Sequence, residues 1–287
     1  MIAKKTELLP GLYLVATPIG NARDITLRAL DVLASADILA AEDTRTLRKL
    51  MEIHGLSFGD RPAIAYHDHS GEGTRAKIAD HIRAGRSVAY ASEAGTPLVA
   101  DPGYKLAKDI AEADLPVVAV PGASAVLAAI SISGLPSDRF TFAGFAPVAE
   151  GARRKFLEDC ATGSGTLVFY ESPRRVEKFL ATAAQVFGDD CEAAICRELT
   201  KKFEDARRGT LTTLREDPGT LKGEVVIVIG PRANKAGLEG AHMDTVLASA
   251  MERLSIKDAA AEVASVFGLK KRDVYQRALA LKDDNNA

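Results

Sequence analysis

The sequence of 287 residues predicts an α/β protein with two different sheets and a helical extension. Over the first part of the chain, short apolar runs alternate with amphipathic stretches, which is typical of a parallel sheet built from βαβ units. After Gly134 several apolar runs follow one another without a helix between them, which favours a mixed sheet. From Asp244 to Leu279 the apolar spacing is helical.

Five strands and five helices are predicted in the first region and its connection to the second. The strands are the apolar runs at residues 12–16, 38–41, 63–66, 88–91 and 117–120. Apolar residues three and four positions apart predict helices, because this spacing places them on one face. The helices span residues 25–34, 47–54, 75–84, 104–113 and 124–133. Asp24, a favourable capping residue, is the predicted N-cap of the first helix.

The second region is predicted to be richer in strands than in helices. The strands span residues 140–145, 166–170, 193–197, 203–209 and 225–229. The one clear helix, at 174–187, is opened by Ser172 and Pro173 and closed by Gly188, which are favoured at these positions. Most neighbouring strands of this region are therefore expected to pair without crossover helices.

The chain is predicted to divide where its pattern changes. The expected parts are an N-terminal domain at 1–122, a C-terminal α/β domain at 123–232 and, after a polar, flexible stretch at 231–240, a helical extension at 241–282. The extension has a tight turn predicted at Gly268 and is similar to a helix-turn-helix. The sequence leaves two interpretations of it open, a basic surface for nucleic acid and a solvated helical appendage.

Composition and charge argue against several classes of protein. The net charge of −2 argues against indiscriminate binding of nucleic acid, so an RNA partner requires a local basic face. No apolar run is long enough to cross a bilayer, so no membrane partner is expected and the cytoplasm is the expected location. The three cysteines form no C-x-x-C pair, and only His67 and His69 lie close together among the histidines, so no metal site is expected.

Three loops rich in glycine and proline are the candidate binding elements. The common nucleotide fingerprints, G-x-G-x-x-G and G-x-x-x-x-G-K-[ST], are absent from the sequence. The loops at residues 17–21, 92–103 and 121–124 instead each follow a predicted strand directly. Ligands of open α/β sheets bind beyond the carboxyl ends of the strands, and glycine there permits close approach to the backbone. The three loops together predict one pocket.

Several motifs carry a family resemblance. They are LYLVATPIGN at 12–21, AEDTR at 41–45, the loop at 92–103, GLPSDRF at 134–140, FYES at 169–172, RELTK at 197–201 and KGE at 222–224. This set resembles the tetrapyrrole-methylase-like superfamily and, within it, the ribosomal RNA small subunit methyltransferase I family of 16S cytidine 2′-O-methyltransferases. The resemblance covers residue 11 to about residue 230 and is specific, because long motifs recur in order.

The resemblance implies a fold, a cofactor and a partner. It implies a two-domain α/β fold, S-adenosyl-L-methionine bound between the domains, a homodimer, and a cytidine ribose in the decoding region of 16S rRNA or of the assembled small ribosomal subunit as substrate. The cofactor contacts of the family would fall on Pro18, Gly95, Thr96, Pro97, Val99, Ser124, Ala125, Tyr170, Arg197 and Glu224. Such loops suit this cofactor, because backbone amides and carbonyls and an apolar slot match its carboxylate, sulfonium and adenine.

Methyl transfer from this donor requires no metal, because holding donor and acceptor in line supplies much of the catalysis. A ribose hydroxyl is nevertheless a poor nucleophile unless a base or a nearby cation assists loss of its proton. Glu198 and His67 are candidate proton acceptors, and Lys201 and Arg45 are candidates for stabilising an alkoxide or anchoring a phosphate. Each also has a plain interpretation as a solvated charge or a structural ion pair.

The candidate RNA-binding residues are basic residues near the predicted strand ends and in the extension. They are Arg45, Arg174, Lys270, Lys271 and Arg272. Because the chain contains no Trp, base stacking would depend on Tyr66, Tyr170 or a phenylalanine.

Two other functions are weighed against RNA methylation. The first is methylation of a small molecule, such as a porphyrinoid precursor, by the same fold; the extension and the basic clusters at 153–155, 174–175 and 207–208 argue against it. The second is a noncatalytic RNA-binding or assembly factor, and the complete set of loops argues against that.

Overall fold

The computed structural model describes residues 3–67, 70–100, 103–231, 236–267 and 269–284. The chain consists of two compact units, Met1–Pro231 and Arg232–Ala287. The first contains one parallel and one mixed sheet and the second is helical, so the predicted α/β fold class is confirmed. The predicted division of the first unit near residue 122 stays a prediction. The predicted turn at Gly268, His69 of the histidine pair, and residues 101–102 of the second loop lie outside the described residues.

The first sheet is entirely parallel. Its strands are β1 (Gly11–Val15), β2 (Ile38–Ala41), β3 (Ala63–Ala65), β4 (Ser87–Ala91) and β5 (Val117–Val120). Their order is β3-β2-β4-β1-β5, so the carboxyl ends of all five strands lie along one edge. The strands that precede the three candidate loops, β4, β1 and β5, are neighbours, and the loops are neighbours for that reason.

Helices cover both faces of this sheet. They are α1 (Leu27–Ser35), α2 (Thr44–Ile53), α3 (Glu72–Arg83) and α4 (Tyr104–Glu112). Side chains alternate along a strand, so Val15 packs with α1 and α2 on one face while Leu12 packs with α3 and α4 on the other. Both faces are therefore apolar, as expected for a buried parallel sheet.

The predicted N-cap of α1 is wrong. Thr26, not Asp24, precedes the helix, and its side chain accepts a hydrogen bond from the Ala29 amide. Asp24 ends a short 3-10 turn at Ala22–Asp24 and lies too far upstream to reach the free amides of α1. A cap must stand directly before the first helical residue.

The second sheet is mixed, as predicted. After α5 (Ala125–Ser133) its strands are β6 (Phe140–Phe145), β7 (Thr166–Glu171), β8 (Glu192–Arg197), β9 (Asp205–Thr210) and β10 (Val225–Ile229). The order is β6-β7-β10-β8-β9; β6 and β7 are parallel, and the other pairs are antiparallel.

The two faces of the second sheet pack against different partners. The outer face packs against α6 (Glu150–Cys160), α7 (Val176–Phe187) and α8 (Leu211–Glu216). The inner face packs against α5 and against Ile19 from the loop after β1, which joins the two sheets through one apolar cluster. The predicted helix at 174–187 occurs as a short 3-10 turn followed by α7, whereas α6 and α8 were not predicted. Only Leu157 and Arg153 are buried in the polar α6, and α8 has six residues, so neither produces a strong apolar period.

The second unit consists of α9 (Ala236–Met251), α10 (Ile256–Phe267) and α11 (Lys271–Asp284). Its small core contains Leu247, Val263 and Val274, one from each helix. The stretch predicted to be polar and flexible is partly helical, since α9 begins at Ala236. Within the described parts of the chain, no helix is both long and apolar enough to cross a membrane.

Candidate active site

The three candidate loops are joined by hydrogen bonds into one rim along the first sheet. The Thr17 amide donates to the Gly95 carbonyl over 2.9 Å, and the Gly95 amide donates back to Thr17 over 3.1 Å. The Thr96 hydroxyl donates to the Ala123 carbonyl over 3.0 Å, which connects the second loop to the third. These bonds between distant segments fix the positions of all three loops before any ligand binds.

The second loop has an unusual backbone. Gly95 has a φ of +79°, and a Cβ there would lie 3.2 Å from Cγ2 of Ile19. Leu98 and Ala100 also have positive φ values, of 74° and 54°, which L residues rarely adopt. Strained backbone of this kind costs on the order of 1–3 kcal/mol per residue and is concentrated at functional sites.

A cleft of about 800 Å³ lies between this rim and the edge of the second sheet where β6 and β7 end and β10 begins. Its volume falls within the range of small-molecule sites, roughly 300–1,000 Å³. Seven of the ten predicted cofactor residues line it, and these are Gly95, Thr96, Val99, Ser124, Ala125, Tyr170 and Glu224. Pro18, Pro97 and Arg197 do not, although Pro18 adjoins the lining residue Ile19 and Arg197 pairs with the lining residue Val225 across the strands.

Sequence reasoning missed several residues of the cleft. Thr46, Glu93, Phe145, Glu171 and Pro173 line it as well. Phe145 and Glu171 are the last residues of β6 and β7, and residues at strand ends are candidates for ligand contact. The sequence did not show that these two strands end beside the loops of the first sheet.

We call the rim and the side of the cleft formed by the second sheet its first and second walls. A buried ion pair forms part of the second wall. The Glu171 side chain is 1% exposed and accepts from Nη2 of Arg175 over 2.5 Å and from the Ser172 amide over 2.7 Å. Glu171 and Arg197 occupy positions on either side of Val225 in the sheet. Nε of Arg197 is buried and has no hydrogen-bond partner among the described residues. Unpaired buried donors are uncommon in folded proteins, and Nε of Arg175, the partner of Glu171, is a second one here.

Two of the predicted catalytic residues bind each other beside the cleft. Nζ of Lys201 donates to Glu198 and to Glu224, at 3.0 Å in both cases. The Glu198 carboxylate also accepts from the Glu224 amide over 3.0 Å. This amide, followed by Lys201, lowers the pKa of Glu198 below its usual value. Desolvation lowers the pKa of Lys201, but the hydrogen bonds to Glu198 and Glu224 outweigh it and raise that pKa overall.

This cluster also fixes the backbone that faces the rim. Glu198 and Thr200 have positive φ values of 49° and 65°. Gly20 lies so close that a Cβ there would overlap the Lys201 side chain and lie 2.9 Å from Oγ1 of Thr200. The Asn21 amide donates to the same Oγ1 over 3.1 Å. The loop after β1 and the loop after β8 are therefore packed directly together.

His67 lies apart from the cleft. It is exposed after β3, which forms the edge of the sheet farthest from β5, and its amide donates to Oγ of Ser70. The structure does not bring it together with Glu198 and Lys201.

The predicted RNA-binding residues occupy both units. The Arg45 side chain is 90% exposed, pairs with Asp43 over 2.8 Å and holds the pKa of that carboxyl at about 2. Thr46, its neighbour in sequence, lines the cleft, and exposed Arg174 follows the lining residue Pro173. In the second unit Lys270 precedes α11, Lys271 and Arg272 begin it, and all three are exposed.

Within the described residues, no three His, Cys, Asp or Glu side chains form a possible metal site.

Comparisons with known proteins agree with this architecture. Residues 11–215 match the family model described as Tetrapyrrole (Corrin/Porphyrin) Methylases. Residues 238–282 match the model described as RsmI C-terminal HTH domain. The first match falls within the first compact unit and the second match falls within the second unit.

The chain is similar over nearly its whole length to curated proteins named Ribosomal RNA small subunit methyltransferase I. It is 47% identical to the one from Mesorhizobium japonicum, covering 96% of this chain and 94% of that protein. It is 39% identical to the one from Haemophilus influenzae, covering 96% and 98%. Among solved structures, uroporphyrin-III C-methyl transferase from Thermus thermophilus complexed with S-adenyl homocysteine matches with a TM-score of 0.51 and 22% identity, covering 77% of this chain and 97% of that one. The chain thus belongs to the tetrapyrrole methylases and, within them, to the ribosomal RNA small subunit methyltransferase I family.

Proposed function

We propose that this protein transfers a methyl group from S-adenosyl-L-methionine to ribosomal RNA, and that the acceptor is the ribose 2′-hydroxyl of a cytidine in the decoding region of 16S rRNA. The observation that carries the proposal is the rim of three hydrogen-bonded loops facing the cleft of about 800 Å³. The relatives supply the chemical context, because their name states that they are methyltransferases of the small ribosomal subunit RNA.

The lining of the cleft suits S-adenosyl-L-methionine. Ala94, Gly95 and Ala125 offer backbone groups and small apolar surface, which match an adenine and a sulfonium. Arg197 is not among the lining residues, so its proposed contact with the cofactor carboxylate rests on the family resemblance. A solved protein of the same fold contains S-adenyl homocysteine, the demethylated relative of this cofactor. When bound, the cofactor would supply an activated methyl group; the rim, with Tyr170 and Glu224, would hold it, and the rest of the second wall would hold the acceptor.

The contacts of Glu198 favour a positioning role over that of proton acceptor. A useful base has a pKa near the working pH. Glu198 instead has a lowered pKa and already accepts hydrogen bonds from Lys201 and from the Glu224 amide. We assign Glu198 and Lys201 to holding the loop after β8 against Gly20. His67 does not line the cleft, so its position does not support a role as the base.

The RNA surface is proposed to involve both units. Arg45 and Arg174 are exposed beside the residues that line the cleft, where they suit the phosphates around the target nucleotide. Lys270, Lys271 and Arg272 at the start of α11 form a local basic group on the second unit, whose family description names a helix-turn-helix. We further propose that the partner is 16S rRNA or the small ribosomal subunit, that the protein acts as a homodimer, and that it is cytoplasmic.

Two measurements test the proposal. Calorimetry should detect binding of S-adenosyl-L-methionine, and mass spectrometry of digested 16S rRNA should find a 2′-O-methylcytidine only in cells that contain the protein. Cofactor binding with methylation of a porphyrinoid instead of RNA would favour the small-molecule alternative. RNA binding with steep salt dependence but without cofactor binding would favour the noncatalytic alternative.

A further inference from the structure

Strand β6 contains a bulge at the point where it reaches the cleft. Its register against β7 shifts between Phe142, which pairs with Val168, and Gly144, which pairs with Phe169. Gly144 has a φ of +72°, and a Cβ there would have open space, so the backbone turn rather than crowding selects glycine. Bulges in parallel pairs are rare, and beside active sites a bulge changes the direction of a side chain.

The bulge changes the face on which Phe145 lies. In a regular strand Phe142 and Phe145 would point to opposite faces, because side chains alternate. Here both rings contact Tyr170, with centroids 4.8 Å from Phe142 and 5.5 Å from Phe145. Phe142 and Tyr170 belong to the inner apolar cluster, whereas Ala143 packs with the outer one. The inserted residue therefore returns Phe145 to the inner face, where it lines the cleft.

Phe145 remains 56% exposed in spite of these contacts. A single exposed apolar side chain needs no explanation by itself. This one differs because the strand contains a bulge that directs it into the cleft, and because Tyr170 supports its ring edge-on at an interplanar angle of 66°. The result is a supported aromatic surface open to the cleft, opposite the rim assigned to the cofactor.

We infer that Phe145, supported by Tyr170, is the platform on which the base of the target nucleotide stacks. The inference rests on the proposed function, since proteins that select one nucleotide of an RNA commonly hold its unstacked base on an aromatic ring. The chain contains no Trp. Tyr66, considered in the sequence as a stacking residue, is buried at 3% exposure against Tyr90. Phe145 and Tyr170 are the aromatic residues in the lining of the cleft within the described part of the chain.

The test compares two phenylalanines of the same strand. Phe145→Ala removes the proposed platform, Phe145→Leu keeps apolar bulk without a flat ring, and Phe145→Tyr keeps the ring. Phe140→Ala is the matched control, because Phe140 is 39% exposed at the opposite end of β6, where it pairs with Thr166 away from the cleft. Initial rates of methyl transfer from radiolabelled S-adenosyl-L-methionine to small ribosomal subunits lacking the modification give kcat and KM for RNA. Calorimetry gives cofactor affinity, and thermal unfolding gives Tm.

Loss of stacking on one base corresponds to roughly a tenfold or greater fall in kcat/KM for RNA. We expect this fall in Phe145→Ala, a comparable fall in Phe145→Leu, and retained activity in Phe145→Tyr and Phe140→Ala. Cofactor affinity and Tm should stay close to those of the unaltered protein.

Two results would overturn the inference alone while leaving RNA methylation established. One is a Phe145→Ala protein that methylates RNA as well as the unaltered one. The other is a loss of cofactor affinity that accounts for the whole loss of rate, which would place the ring against the adenine of the cofactor. Failure of the unaltered protein to methylate the subunit would instead refute the proposed function, and the inference with it.

Discussion

The two walls of the cleft are built by different means. The wall along the first sheet consists of loop backbone, held by hydrogen bonds such as those between Thr17 and Gly95 and by left-handed residues. The wall along the second sheet consists of side chains, namely the aromatic pair of Phe145 and Tyr170 and the charges of Glu171 and Glu224. A wall made of backbone recognises the shape of its ligand and tolerates few added side-chain atoms. A wall made of side chains can change its ligand specificity by substitution of single residues. This contrast suits a wall that binds an invariant cofactor and a wall that selects the acceptor.

The contrast predicts its largest effect at Gly95. Replacement by Val adds branches beside Ile19 and Ala123 to a residue with a φ of +79°. We expect cofactor affinity measured by calorimetry to fall on the order of 100-fold or more, because both the backbone and the space are affected. Gly55→Val is the control, since Gly55 has a φ of +69° with open space around it. Equal cofactor affinity in the two variants would remove Gly95 from the site.

A smaller effect is expected at Arg197, which adjoins the other wall through its strand partner Val225. Arg197→Gln removes the charged guanidinium, including the unpaired Nε, and hydrogen bonds to charged groups contribute about 1.5–3 kcal/mol. Cofactor affinity should therefore fall roughly 10- to 100-fold by calorimetry. Arg207→Gln, on the edge strand β9 with Asp217 as its partner, is the control and should bind the cofactor normally. An unchanged affinity in Arg197→Gln would show that Arg197 has a structural role.

The second unit should affect RNA more than the cofactor. Replacing Lys270, Lys271 and Arg272 together by Gln removes three exposed charges from the start of α11. We expect RNA association to weaken roughly tenfold and its dependence on salt to become less steep, since fewer counterions are released. Filter binding over a salt series checks this, with cofactor calorimetry as the control. Truncation after Gly230 should act in the same direction, and equal losses of RNA and cofactor binding would refute the assignment.

The smallest predicted effect concerns acid stability. The folded-state pKa of Glu198 is lowered, first by the Glu224 amide and then by Lys201, from a usual value of 4.5. Its contribution is therefore complete above that value and is lost as the pH falls through the lower folded pKa. Glu198→Gln should cost under about 1 kcal/mol at pH 7, because the group is partly solvated. Urea unfolding at pH 7 and pH 3 should show a smaller difference from the unaltered protein at the lower pH; a constant difference would contradict the electrostatic role.

The sequence predicted the strands better than the contacts between them. Apolar runs such as Ile38–Ala41 and Val225–Ile229 occur as predicted, because burial on both faces leaves a continuous apolar signal. The helix α6 gave no such signal, since most of its side chains are solvated. The loops of the rim were visible from glycine and proline, which mark their conformations directly.

The second wall was only partly predictable, for a physical reason. Tyr170 and Glu224 were reached through the family resemblance, whereas the bulge that directs Phe145 into the cleft depends on the register of β6 against β7. Gly144 was a local signal of a bulge, but the face on which Phe145 lies depends on how β6 pairs with β7, a distant segment of the chain. The ion pairs of Lys201 depend likewise on the left-handed backbone at Glu198, which propensity alone does not assign to glutamate.

The packing of Gly20 against the loop after β8 has a consequence for how ligands enter. Because Thr200 and Lys201 lie directly over Gly20, the two sheets cannot rotate apart about this point without separating that contact. Movements of side chains at the mouth of the cleft would admit substrates without breaking this contact. A side chain introduced at position 20 would instead push the loop after β1 away from the loop after β8. The distance between the two sides of the cleft would then change for both substrates together.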